Sequence, residues 1–183
     1  MAPVQANRGF SVKMLSLSAF LGAALLAAGC RGAGDQNCAT PSGLPVPRFV
    51  ALKFDDVNAR KGPGVDYDVV WVWHGKGLPV KVVAETSDWR KVQAADGSLA
   101  WVNKRLVDGR RMALRNATAA ATLRDDPKDD GKIVAWLQPH AIAVLEKCEK
   151  GWCRLKASGV KGWLRQEEIW GGGPPPVCRA RKD

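Results

Sequence analysis

Few side chains in this sequence could do covalent, acid–base or metal chemistry, and their spacing points away from catalysis. There are five cysteines, Cys30, Cys38, Cys148, Cys153 and Cys178, and two histidines, His74 and His140. Cys148 and Cys153 flank the stretch EKGW, which reads as a hairpin turn, so a cross-strand disulfide is geometrically easy. Closing so short a loop contributes about 2 kcal/mol by chain entropy. Cys38 and Cys178 would then join the two ends of the folded region, a long loop worth on the order of 5 kcal/mol in the same account. Cys-x4-Cys can also ligate zinc, but the remaining cysteines are remote and only the two histidines could complete a set. Both histidines fall in turn regions, where a solvent-exposed ring is expected. A Cys–His peptidase needs a free thiol in a family signature, and none surrounds these five. Asp55-Asp56 and Asp125-Asp126 are adjacent carboxylates, which point apart on an extended chain. Catalysis needs a nucleophile, base or metal gathered in a pocket. No catalytic residue, cofactor or metal site is therefore assigned.

The elements that position these residues begin after a leader. Arg8 and Lys13 supply a positive start, and Met14–Gly29 carries no charge. That run is about the length of a signal-peptide core and short of the roughly twenty apolar residues a membrane span requires. It ends in AAGC, which resembles a lipobox with Cys30 as the lipidated residue. A lipobox usually has Leu three places before the Cys; Ala27 stands there, with Leu26 one further back. Ordinary cleavage near this point and a retained membrane anchor are the alternatives. Lipidation of Cys30 would leave four cysteines, which can pair fully. Disulfides suit an exported chain. The expected localisation is export, as a periplasmic protein or a membrane-anchored lipoprotein.

The formal charge is +10. Losing Arg8 and Lys13 with the leader leaves 26 basic residues against 18 acidic ones. In an exported protein this favours anionic envelope polymers or phospholipid headgroups over nucleic acid. A solvated basic surface without a partner is the plainer alternative.

From Arg48 onward short apolar runs alternate with turn signals, which argues for an all-β fold. The chain also resembles itself. Leu78–Val92 aligns without a gap on Ala141–Leu155, matching Val80 with Ala143, Val82 with Leu145, Trp89 with Trp152 and Val92 with Leu155. Further along Trp101 matches Trp163, and upstream Arg60 matches Arg124. In the first copy Val50, Leu52 and Phe54 alternate with polar or small residues, and Val57 and Ala59 continue that strand with Asn58 and Arg60 facing the other way. KGPG at 61–64 must be loop, because Pro lacks a donor and Gly tolerates positive φ. Strands are expected at VVWVW (69–73), LPVKVVAE (78–85), WRKVQA (89–94) and LAWV (99–102). NKRLV should form a short 3-10 turn and a last strand. Five short strands with hairpins and one long early loop describe a small, partly open barrel. Trp89, Trp101, Trp152 and Trp163 are expected to pack in or along the two barrels. Asp108–Ala113 is a junction short enough that the copies should touch.

At this point the motifs resemble a known family. VNARKGPGVDY, the VKVVAETSDWRKV hairpin and DGSLAWV are similar to the bacterial SH3-like (SH3b) repeat. That repeat runs roughly N-x-R-x-G-P-G, then a hairpin ending Gly-x-Trp-x-x-Val, then Gly-x-x-Gly-Trp-Val. The second copy is degenerate, with RDDPKDD in place of the RKGPG segment. Copy one has Ser87-Asp88 where the family prefers Gly before Trp89, and Ala100 before Trp101. The likeness covers about Pro47–Trp170. It implies two tandem SH3-like β-barrels after an N-terminal signal segment. The expected division is signal 1–29, linker 30–46, barrel one 47–109, barrel two 110–170 and a Gly/Pro-rich basic tail 171–183. The tail's GGGPPP is a spacer and no phosphate loop, since no helix follows it.

The resemblance also implies a binding module for cell-wall peptides, of a kind commonly fused to hydrolases, and carries no dependable catalytic set. The residues expected to bind are Arg60, Lys61, Tyr67, Trp71 and Trp73. The aromatics sit near the long KGPGVDYD loop, where SH3-like barrels line peptide grooves. The cations, with Lys76, could meet peptide carboxylates. Trp71 and Trp73 share one strand face, either core or groove, and core is expected for at least one of them. The partner is expected to be a cell-wall peptide or another envelope protein, and not nucleic acid.

Overall fold

The computed structural model describes residues 39–173. The expectations for the leader, for lipidation of Cys30, for a Cys38–Cys178 pair and for the tail beyond Gly173 lie outside the described residues.

Alternating apolar and polar side chains build two antiparallel sheets. The first holds β1 (Arg48–Leu52), β2 (Asp56–Arg60), β3 (Val69–His74), β4 (Pro79–Glu85), β5 (Trp89–Gln93), β6 (Leu99–Asn103) and β7 (Val107–Asp108). Its order is β3-β2-β6-β5-β4-β1-β7. The second holds β8 (Met112–Leu114), β9 (Ala121–Arg124), β10 (Ile133–Leu137), β11 (Ile142–Glu149), β12 (Trp152–Ala157) and β13 (Val160–Arg165), in the order β10-β9-β13-β12-β11-β8. Single-turn 3-10 helices follow β6 at Lys104–Leu106 and β13 at Gln166–Glu168. The two orders superpose strand for strand. The isolated bridge between Leu114 and Trp170 stands where β7 pairs with β1. Registers repeat too: Arg60 lies opposite Trp101, and Arg124 opposite Trp163. The sequence repeat is a repeat of sheet topology.

The sheets are open, with β3 and β7 as free edges of the first, in keeping with a partly open barrel and not a closed one. One expectation needs correction: the run from Val50 to Ala59 is not one strand. A bend at Lys53–Asp55 ends β1, which pairs with β4 and β7, and starts β2, which pairs with β3 and β6. Phe54 falls in the bend and is exposed. Hydropathy alternation runs straight through a bend, so it could not mark this one.

Each sheet covers its own core. The first is built on Leu52, Val57, Val80, Val82, Val92 and Val102, and the second on Leu123, Leu137, Leu145, Leu155 and Leu164. Each fully buried aliphatic side chain contributes about 1.5–3 kcal/mol relative to exposure. Trp89, Trp152 and Trp163 are buried and Trp101 is half-buried. The β11–β12 hairpin turns on Lys150 and Gly151, both at positive φ, the geometry that two-residue hairpins favour. This places Cys148 directly opposite Cys153, and the two are joined by a disulfide.

The two copies touch through the end of the second. Trp170 meets Phe49 edge to face at 5.1 Å, donates its Nε1–H to the Pro79 carbonyl at 3.0 Å and lies under the Lys81 ammonium. Gly171 follows at φ 98°, and a Cβ there would stand 2.3 Å from the Met112 carbonyl oxygen. Only glycine fits that approach.

A buried charge cluster braces the first sheet. The Glu85 carboxylate, 1% exposed, accepts from Arg48 at 2.6 Å and is ion-paired with Arg90 at 3.1 Å. Ser42 adds both its hydroxyl and its backbone N–H. Burial pushes the Glu85 carboxyl up, but the hydrogen bonds from Ser42 and Arg48 outweigh it and hold the pKa down at about 2.

Candidate functional site

In β2, Val57 and Ala59 point into the core, so Asn58 and Arg60 point out of it. Sheet order sets β6 beside β2, and the 3-10 turn that follows β6 comes to the same side. The result is a groove of about 320 Å³ lined by Asn58, Arg60, Val65, Trp89, Asn103, Arg105 and Leu106. Trp89, Val65 and Leu106 give it apolar surface. Asn103 caps the 3-10 turn by accepting the Arg105 backbone N–H at 3.0 Å. Arg60 donates to the Tyr67 carbonyl at 2.7 Å and so ties the 61–68 loop to the end of β2. Neither Arg60 nor Arg105 has an ion-pair partner among the described residues. An apolar groove with two guanidinium groups outside any direct ion pair, Arg105 lying in the field of Asp88, suits a ligand that carries carboxylates.

The structure places the residues expected from sequence in different surroundings. Arg60 lines the groove. Lys61 is exposed on the loop. Tyr67 lays its ring over Gly62, where a Cβ would stand 2.4 Å from the ring, so any larger residue at this position would push the exposed Tyr67 ring aside. Trp73 pairs with Val57 and packs half-buried against the first core. Trp71 pairs with Ala59 and is 52% exposed on edge strand β3. Asn58, Val65, Trp89, Asn103, Arg105 and Leu106 were not singled out as binding residues. Alternation alone marked Asn58 as outward; Val65 reaches the groove from the 61–68 loop, and Trp89, Asn103, Arg105 and Leu106 join it only through the β2–β6 pairing. His74 ends β3, with Nδ1 2.6 Å from an exposed Asp56 carboxylate oxygen. Among the described residues, no three His, Cys, Asp or Glu side chains gather as a metal site.

The second copy carries different chemistry at the equivalent place. Arg124 donates to the Gly131 carbonyl at 2.7 Å, as Arg60 does to Tyr67. The two loops have equal length, so Asp129 takes the position of Val65. Likewise Arg165 takes the position of Asn103, and Glu167 that of Arg105. Arg165 lies 4.4 Å above the Trp152 ring and pairs with Asp129 at 2.5 Å. Trp152, buried like Trp89, thus carries an internal ion pair at its outer face, where the first domain has Asn103 and Val65.

The family model described as "Bacterial SH3 domain" matches residues 53–109 and 117–171. The chain belongs to the bacterial SH3 domain family. It carries the domain twice, and both matches fall on the two sheets. A relative in Bacillus subtilis (strain 168), "Putative N-acetylmuramoyl-L-alanine amidase YrvJ", is 23% identical over 130 residues. The match takes in 65% of this chain and 25% of that protein, so this chain spans about a quarter of the relative's length. Among solved structures, NlpC2 from Trichomonas vaginalis matches with 12% identity and a TM-score of 0.32, over 68% of this chain and 48% of that one. NlpC1 from the same organism matches with 13% identity and a TM-score of 0.30, over 67% and 45%. At those scores neither likeness bears on fold or function.

Proposed function

We propose that this bacterial SH3 domain protein is an exported, non-catalytic binding module whose first-domain groove takes a cell-wall peptide. The observation that carries this reading is the pair Arg60 and Arg105, set beside Trp89 without carboxylate partners of their own. Wall-peptide carboxylates would meet the guanidinium groups, and aliphatic peptide side chains would lie on Trp89, Val65 and Leu106. Lys61, Tyr67 and Trp71 extend the surface along the loop and β3, and Trp73 supports it from the core side. The family supports a binding role, and one relative is named as a putative N-acetylmuramoyl-L-alanine amidase, after a sugar–amino-acid unit. The net positive charge favours an anionic polymer. The test is cosedimentation of the full chain with isolated peptidoglycan at low salt. Retention that falls in Arg105→Gln, a substitution at an exposed side chain, is the expected result. No retention, or retention indifferent to that change, would count against the groove.

A second reading rests on β3. This free edge leaves Val69, Val70, Trp71 and Val72 exposed together. An unpaired apolar edge is a template for strand addition by another envelope protein. Capture of one stoichiometric partner by the wild type, lost in Val70→Pro, with no wall binding, would favour this alternative.

A further inference from the structure

A cavity of about 550 Å³ lies where the domains meet, away from the groove. Leu44, Pro47, Phe49 and Val107 give it apolar walls, and Gly171–Gly173 close one side. Five cations reach its lining: Arg48, Lys81, Arg90, Lys104 and Arg111. The one carboxylate on the lining, Asp108, is held by Arg110 at 2.9 Å.

Three of the cations have carboxylate partners. Arg48 and Arg90 share Glu85, and Lys104 pairs with Asp88 at 2.9 Å. The other two have no carboxylate partner among the described residues. Lys81 Nζ sits over the rings of Trp170 and Phe49, at 4.6 and 5.3 Å from their centroids. Arg111 donates to the Gly173 carbonyl, and burial pulls its pKa below the usual guanidinium value. A cation partly removed from water without a counter-charge is costly. Arg48, 7% exposed, also leaves its Nε buried without a hydrogen-bond partner.

We propose that this cavity is a second binding site, for a small amphipathic carboxylate whose head is taken by Lys81 and Arg111 and whose apolar body fills the space beside Phe49 and Leu44. The volume lies in the range of small-molecule sites. A planar carboxylate matches the guanidinium fork of Arg111, and the apolar walls ask for more than an inorganic anion. The site does not depend on the first-domain groove.

The test is calorimetric titration of the full chain with hexanoate, against hexanol, acetate and hexyl phosphate. Hexanoate should bind with one-to-one stoichiometry. Hexanol lacks the charge and acetate the apolar body, so both should bind at least about tenfold more weakly. Lys81→Gln and Arg111→Gln should each weaken hexanoate about tenfold, with unchanged thermal melting showing that the fold is intact. Arg105→Gln, in the groove, should leave hexanoate binding unchanged. No saturable hexanoate binding, equal binding of hexanol, or indifference to both cavity substitutions would overturn the site. Tighter binding of hexyl phosphate would overturn its assignment to carboxylates.

Discussion

Neutralising Glu85 is the sharpest available perturbation of the first domain. Its carboxylate is buried between Arg48 and Arg90, whose side chains are 6% and 10% exposed. Its pKa falls from an ordinary 4.5 to about 2 on folding. Each pKa unit corresponds to 1.36 kcal/mol, so ionised Glu85 stabilises the native state by about 3 kcal/mol. Because the folded pKa lies below the unfolded one, this contribution is complete above about pH 4.5 and is lost as pH falls toward 2. Glu85→Gln keeps the shape but leaves two guanidinium groups without a counter-charge, and breaking a buried pair in this way costs about 3–5 kcal/mol. For a folded region of this size, that lowers the melting temperature by about 10 °C. Urea denaturation of wild type and variant at pH 7, 4 and 2.5 measures both effects. The gap should be widest at pH 7 and narrow with acid. A gap under about 1 kcal/mol at pH 7, or one that stays constant down to pH 2.5, would refute the reasoning.

Other consequences follow from single contacts. Trp170→Ala removes the Phe49 contact, the bond to Pro79 and the ring under Lys81. It should cost about 2–3 kcal/mol and split one unfolding transition into two, as calorimetry would show. Reducing the Cys148–Cys153 disulfide should cost about 2 kcal/mol, read as a shift in urea midpoint that a Cys148→Ser/Cys153→Ser variant no longer shows. Trp73→Ala should destabilise by about 2–3 kcal/mol, whereas exposed Trp71→Ala should stay within about 0.5 kcal/mol and lower wall binding instead. Asp129→Val with Arg165→Asn should remove the ion pair at Trp152 and raise the number of peptides bound per chain above the wild-type value, as measured by calorimetry.

Much of this architecture was legible because the repeat leaves matched side chains at matched places. Arg60 with Arg124, Trp89 with Trp152 and Trp101 with Trp163 align in the sequence and again in sheet register. The loop at 61–64 was marked by residues that cannot continue a strand, and the β11–β12 turn by the Gly151 between two strand-forming runs. What escaped notice depends on pairing between distant segments. The bend at Lys53–Asp55 has no glycine or proline, and apolar Phe54 kept the alternation going through it. Arg105 and Asn103 join Asn58 only because β6 pairs with β2, which no local pattern states. The ion pair at Trp152 needed the equal loop lengths that put Asp129 where Val65 stands. Glu85 looked like the polar end of a strand until the sheet brought Arg48 and Arg90 to it.

Titration of isotopically labelled protein with soluble peptidoglycan fragments, followed through backbone amide shifts, tests the binding site most directly. The account expects saturable shifts at Asn58, Arg60, Val65, Asn103 and Arg105, with Asp129 and Arg165 of the second domain unmoved. Shifts gathered on β3 alone, or equal in both domains, or none at any fragment concentration, would contradict it.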